Sequence, residues 1–280
     1  MTTEIRLGAH GPQLPVPCIM GVLNVTPDSF SDGGLFLNRD AALAQARRMV
    51  ADGASIIDVG GESTRPGSEP VGLQHELDRV VPVIERICAD LDVAVSVDTS
   101  KPEVMREAVA AGAALINDVY ALRRPGALET AAALDVGVCL MHMQGEPRTM
   151  QSHPHYEDVV TEVTDFLVRR AADCEAAGLD RERIVIDPGF GFGKMVAHNL
   201  ALLAGLPRMV ATGYPVLVGL SRKSMLAALT GREVDERVAG SVVLAALAAE
   251  RGAHIIRVHD VAETRDALRI VAALDRGEVV

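Results

Sequence analysis

Eight short apolar runs punctuate the chain: VPCIMGV (16–22), SIIDV (55–59), VAVSV (93–97), ALINDV (114–119), VGVCLM (136–141), RIVID (183–187), YPVLVG (214–219) and HIIRV (254–258). Each is rich in Val, Ile or Leu and gives way to polar residues or glycine. Strands that are apolar on both faces belong to parallel sheets covered by helices. Stretches of helical period lie between the runs. In DAALAQARRMVADG (40–53), Ala42, Ala46, Met49 and Val50 share one face and Gly53 follows as a stop. EVMREAVAAG (103–112) and DFLVRRAADCEAAG (165–178) end the same way, at Gly112 and Gly178. A glycine just past a helix adopts the left-handed conformation that closes it. Eight strands alternating with helices predict an α/β fold, the (β/α)8 TIM barrel, whose usual size is about 250 residues. The expected organisation is a single domain over 1–280, with a short N-terminal β-hairpin (1–15) closing the bottom of a barrel at 16–275. A doubly wound open sheet is the alternative. GFGFGK (189–194) superficially resembles its nucleotide loop, but it follows the sixth run and fits neither the GxGxxG nor the P-loop spacing.

Composition narrows the function classes. The chain has 280 residues, 49% of them hydrophobic, which suffices for one large core. A net charge of −11, from 38 acids against 27 bases, argues against a nucleic-acid partner. An anion would have to be held by local Arg, Lys or backbone N–H groups. The four cysteines, Cys18, Cys88, Cys139 and Cys174, form no CxxC pair and read as thiols of a reducing compartment. MTTEIRLGAHG lacks the pattern of a signal peptide, and no apolar run reaches the roughly 20 residues of a membrane helix. A cytoplasmic protein without a membrane partner is expected.

Barrel enzymes carry their chemistry at the carboxyl ends of the strands. Those ends here offer Asn24; Asp58, Glu62, Thr64 and Arg65; Asp98; Asn117 and Asp118; MHM (141–143); Asp187; SRKS (221–224); and Arg257 with His259. Arg257 and His259 are two residues apart, so a strand turns them to one side. With Asn24 on the strand that closes the barrel, they would clamp an anion, the guanidinium fork suiting phosphate oxygens. The Asn24 amide oxygen suits a hard cation such as Mg²⁺. Asp98, Asn117 and Asp187, with no cation expected nearby, suit a neutral ring showing an amidine-like edge, such as a pterin or purine. Asp98 could instead cap the helix that DTSKPE (98–103) starts. Lys223 fits either a Schiff-base lysine or a donor to a ring carbonyl. Ser224 and the free N–H groups of the helix opened by SRKSML could take a small carboxylate. Met141 and Met143 are core residues that can also floor a flat ring. His153 and His155 have chelating spacing but no third ligand nearby, and read as solvated loop histidines. Long polar loops at 26–38, 60–75 and 143–155 have the length and Gly/Pro content of lids or binding loops.

MGVLNVTPDSFSDGG, IIDVGGESTRPG, VSVDTSKPEV, DPGFGFGK, LVGLSRKSML and IIRVHDV resemble, in order and from about residue 16 to 275, the bacterial dihydropteroate synthases, a pterin-binding TIM-barrel family. The resemblance implies a transferase of folate biosynthesis and a sulfonamide target. It would condense 6-hydroxymethyl-7,8-dihydropterin diphosphate with p-aminobenzoate, releasing diphosphate and 7,8-dihydropteroate. It further implies that Asp98, Asn117, Met141, Asp187, Lys223 and Arg257 hold the pterin. Asn24, Arg257 and His259 would hold the diphosphate, with Mg²⁺ on Asn24. Thr64, Arg65, Pro66, Phe190 and Ser224 would shape the p-aminobenzoate pocket. A homodimer through helices of the C-terminal half is implied as well. On this reading TPDSFSDGG (26–34) is a lid. Asp28, Ser29 and Ser31 would reach the Mg²⁺–diphosphate, and Phe30 would cover the reacting methylene. Asp98, Asp187, Lys223, Arg257, His259, Asp28 and Phe30 are thus the candidate catalytic residues. The rivals are a methyltetrahydrofolate–corrinoid methyltransferase, a Schiff-base aldolase using Lys223, and a pterin-binding barrel without turnover.

Overall fold

A computed structural model describes residues 4–8, 11–26, 35–63, 69–146 and 149–276. Eight parallel strands form its centre: β3 (Cys18–Asn24), β4 (Ile56–Gly60), β5 (Ala94–Asp98), β6 (Leu115–Asp118), β7 (Gly137–Met141), β8 (Ile184–Asp187), β9 (Leu217–Val218) and β10 (Ile255–Val258). They pair in the order β8-β7-β6-β5-β4-β3-β10-β9, and a parallel bridge from Ile186 to Val216 joins the two ends of the row into a barrel. The helices between them are α1 (Leu35–Asp52), α2 (Leu73–Asp90), α3 (Pro102–Ala110), α4 (Ala127–Ala133), α5 (Val159–Ala176), α6 (Val196–Ala204), α7 (Leu206–Val210), α8 (Ser224–Thr230) and α9 (Val238–Glu250). The final helix, α10 (Val261–Arg276), follows β10. The α/β barrel expected from the alternation is what forms.

Strand alternation sorts the side chains. Ile19, Ile57, Val95, Ile116, Ile184 and Ile256 point outward into the layer beneath the helices. Cys18, Met20, Ile56, Leu115, Val185 and Ile255 point inward and fill the barrel floor. The hairpin of β1 (Glu4–Arg6) and β2 (Gln13–Pro15) adds Ile5, Leu7 and Leu14 to that floor, which seals the bottom. All three predicted stop glycines lie in the left-handed region, with φ of 109° at Gly53, 111° at Gly112 and 100° at Gly178. The helix at 40–53 begins earlier than its periodicity shows, at Leu35, so the loop after β3 ends before residue 38. No helix among the described residues is long and apolar enough to cross a membrane.

Candidate active site

Inward alternation continues from the floor to the carboxyl ends of the strands, where apolar residues give way to polar ones. Asp58 sits beside Ser96, Gly60 lies between Asn24 and Asp98, Asp98 is opposite Asn117, and Met141 is opposite Asp187. Gly60 keeps this layer open: a Cβ there would meet Asp98 Cβ at 3.5 Å and Asn24 Oδ1 at 3.7 Å. Asn24, Asp98, Asn117, Met141, Asp187 and Arg257 therefore share one chamber.

Arg257 organises it. Its Nε donates to Asp58 Oδ2 at 2.7 Å and its Nη2 to Asp98 Oδ2 at 2.8 Å. The expectation that the acids of this chamber have no cation nearby is corrected: Asp98 is paired with Arg257, while Lys223 and Arg257 both act electrostatically on Asp187. Burial works against the guanidinium charge, but Asp58 and Asp98 outweigh it and hold Arg257 charged. Asp98 is pushed up to about 7 by burial, which Arg257 opposes and Asp58 reinforces. Asp187 is raised by burial, opposed by the Gly189 N–H that it accepts at 2.7 Å and by Lys223. Lys223 is lowered to about 8, by burial and by repulsion from Arg257. Asn117 donates Nδ2 to Asp58 Oδ2 at 3.2 Å, which leaves its Oδ1 for a ligand.

Asp98 does not cap α3; Lys101 occupies that position, with Pro102 opening the helix. Asp118 faces outward, fully buried, and accepts from Tyr120 and Leu122 N–H at 2.9 and 2.8 Å, which places it in a turn rather than the chamber. Glu62 turns to Lys101, which also binds the buried Glu76. His259 lies just past β10, with Nδ1 3.0 Å from Ser221 Oγ. Burial and the neighbouring Arg257 lower it to about 4, so at neutral pH it offers a hydrogen bond and not a charge. Phe190, expected in a substrate pocket, is buried in the outer core at 1% exposure. Phe192 is the aromatic at the site: Lys223 Nζ lies 4.3 Å from its ring centroid. Ser224 is exposed at the start of α8, next to Lys223. His153 and His155 are exposed. Asp28, Ser29, Phe30, Ser31, Thr64, Arg65 and Pro66 lie outside the described residues.

Ser96, Phe192 and Lys194 were missed as parts of the site, and Asp58 was offered at a strand end but given no role. Counting back two from Gly60 and Asp98 on their strands puts Asp58 and Ser96 on the inward face. Both hold a buried oxygen, Asp58 Oδ1 and Ser96 Oγ, without a hydrogen-bond partner among the described residues. Phe192 and Lys194 lie in an irregular loop, where no periodicity points to their environment.

The family described as pterin binding enzyme matches residues 20–259. The chain belongs to that family. Within the pterin binding enzymes, it is 54% identical to the dihydropteroate synthase of Haemophilus influenzae over 257 residues, 92% of this chain and 94% of the relative. It is 52% identical to the Escherichia coli dihydropteroate synthase over 271 residues, 96% of each chain. The dihydropteroate synthase of Yersinia pestis, solved with a sulfonamide drug complex, superposes with a TM-score of 0.92 at 51% identity, covering 98% of this chain and 99% of that one. The Xanthomonas albilineans dihydropteroate synthase in complex with 7,8-dihydropteroate superposes with a TM-score of 0.88 at 53% identity, covering 96% and 98%. The pterin binding family and the barrel expected from the sequence both stand.

Proposed function

We infer that this chain acts as a dihydropteroate synthase, condensing 6-hydroxymethyl-7,8-dihydropterin diphosphate with p-aminobenzoate to 7,8-dihydropteroate and diphosphate. The observation that carries the reading is the chamber: Asp98, Asn117, Asp187, Lys223 and Arg257 converge at the mouth of a barrel 54% identical to a dihydropteroate synthase over nearly its whole length. The carboxylates of Asp98 and Asp187 accept the paired N–H groups of the pterin edge. Asn117 Oδ1 accepts a further one, Met141 lies against the ring, and Lys223 donates to the ring carbonyl. Arg257, steadied from below by Asp58, faces the diphosphate, and His259 adds a neutral donor.

No cluster of three or more His, Cys, Asp or Glu able to cage a metal exists among the described residues. The donor set fits a cation that brings most of its own ligands: Asn24 supplies a single amide oxygen at the rim, and Mg²⁺ characteristically takes few protein ligands alongside phosphate and water. Mg²⁺ held by Asn24 would supply neutralisation of the leaving diphosphate. The bond from the pterin methylene to the diphosphate oxygen breaks with its electron pair leaving on diphosphate. The aniline lone pair of p-aminobenzoate then forms the C–N bond, and the amine loses one proton. That amine is already unprotonated at neutral pH, so positioning by Lys223, Phe192 and Ser224 matters more than a general base. Asp98 and Asp187 stabilise the cation delocalised into the ring, which favours an SN1-like displacement. The deciding assay is diphosphate release requiring both p-aminobenzoate and Mg²⁺; no release under those conditions overturns the function.

The titrating groups set a pH window. Asp98, raised to about 7, must lose its proton to accept from the pterin, so affinity falls as pH drops below that value. Lys223, lowered to about 8, loses its charge above it. Pterin binding followed by calorimetry is expected to peak between these values. In Asp98→Asn the acidic limb should flatten, and an unchanged limb would remove Asp98 from the site.

A homodimer in the cytoplasm completes the reading. Val243 on α9 and Ile270 and Leu274 on α10 are 57%, 65% and 78% exposed, on helices packed side by side. Such apolar exposure on adjoining helices suits burial against a second copy. Sedimentation should show a dimer that Ile270→Asp with Leu274→Asp dissociates; a wild-type monomer at micromolar concentration would refute this.

A further inference from the structure

Lys194 is buried at 3% exposure and faces no substrate group in the arrangement above. Its Nζ lies 2.9 Å from His142 Nδ1, 3.0 Å from Gly189 O, 2.9 Å from Phe192 O and 3.3 Å from His142 O. No carboxylate is among these partners. A lysine buried on carbonyls and an imidazole is costly to desolvate, and burial accordingly lowers it to about 7. The four polar contacts and the nearby Asp187 charge offset part of that cost, and in doing so they fix the backbone around the ammonium.

What it fixes is the segment after β8. Gly189, Gly191 and Gly193 have φ of 66°, 80° and 62°. These left-handed turns suit glycine, and they let the carbonyls of Gly189 and Phe192 converge on one ammonium. The segment lies flush on the exit of β7: a Cβ at Gly189 would sit 2.0 Å from His142 O, and one at Gly193 would sit 2.4 Å from Gln144 O. Two functional groups lean on it. Gly189 N–H donates to Asp187, and the Phe192 ring lies under Lys223 Nζ. Gly191 approaches the same lysine, since a Cβ there would be 3.3 Å from Lys223 Cδ. Asn199 Oδ1 accepts the Gly191 N–H at 2.8 Å and braces the segment from α6.

We propose that Lys194 is a positioning residue for the condensation: by gathering the carbonyls of the 189–193 turn onto His142, it sets Phe192 against Lys223 and so shapes the seat of the aromatic amine. The proposal rests on the dihydropteroate synthase reading and deepens it. Asp98, Asn117 and Asp187 are strand residues whereas Phe192 lies in the turn itself, so loss of the brace should fall mainly on p-aminobenzoate and more weakly on the pterin, through the Gly189–Asp187 hydrogen bond and Lys223.

The test uses the full chain with Mg²⁺ and both substrates. Wild-type diphosphate release checks the function itself, independently of Lys194. In Lys194→Met, the KM for p-aminobenzoate is expected to rise tenfold or more, while pterin affinity by calorimetry stays within threefold. His142→Asn removes one of the four partners and should raise the same KM about threefold. The proposal is overturned if a folded variant keeps the wild-type KM, or if pterin affinity falls as far as the KM for p-aminobenzoate rises. Should Lys194→Met lose its cooperative melt, His142→Asn decides alone, and a wild-type KM there overturns the proposal.

Discussion

Arg257→Met is expected to lower the apparent melting temperature by about 10 °C and to abolish diphosphate release. The guanidinium makes two short ion pairs, to Asp58 and Asp98, in a chamber where the Asp58 side chain has no exposure at all. Removing one partner of a buried pair leaves its counter-charges uncompensated, at a cost of roughly 3–5 kcal/mol. Each kcal/mol is worth roughly 2–4 °C in a chain of this size. The double variant Arg257→Met with Asp58→Asn should recover part of the loss, because one orphaned carboxylate is gone. Activity should not return, since the diphosphate has lost its cation. A melting temperature within about 2 °C of wild type in Arg257→Met would show that water reaches Asp58 and that the chamber is wetter than the structure indicates.

Asp187→Asn should weaken pterin binding by roughly 1–3 kcal/mol, because an acceptor facing N–H groups becomes a donor. The Gly189 N–H still finds an oxygen on the substituted side chain, so the turn after β8 survives and the change stays local. Turnover should fall further, by about 10²–10³, because the ring cation also loses an anion held in place for it. Calorimetry with the pterin and a diphosphate-release assay separate the two effects, and unchanged pterin affinity would refute the assigned role.

Much of this was legible along the chain. The carboxyl ends of the apolar runs marked Asn24, Asp98, Asn117, Asp187 and Arg257, and all of them reach the chamber. The stop glycines at 53, 112 and 178 marked helix ends, which their left-handed φ values bear out. Both signals are local: the strand repeat and the helix terminus are set by neighbouring residues alone.

The pairing of the charges was not local. Arg257 meets Asp58 and Asp98 across 199 and 159 residues of sequence. Which acids it meets depends on closure of the barrel and on the stagger of its strands, and sequence spacing encodes neither. Two further acids, offered at strand ends without a role, divide on this point. Asp118 follows Asn117 on its strand, and the same alternation that turns Asn117 inward turns it outward into a turn, a direction local periodicity already implies. Asp58 lay one layer below the rim and became the residue that holds Arg257. The glycine-rich segment separated Phe190 from Phe192 in the same way: left-handed turns at 189, 191 and 193 send the first ring into the outer core and the second to Lys223. The sequence by itself determined the barrel, its inward faces and the set of polar groups at its mouth, because these follow from periods of two and 3.6 residues. Only the tertiary structure decided which of those groups neutralise one another and which stay free for a ligand, because that depends on distances between strands that the chain does not connect directly.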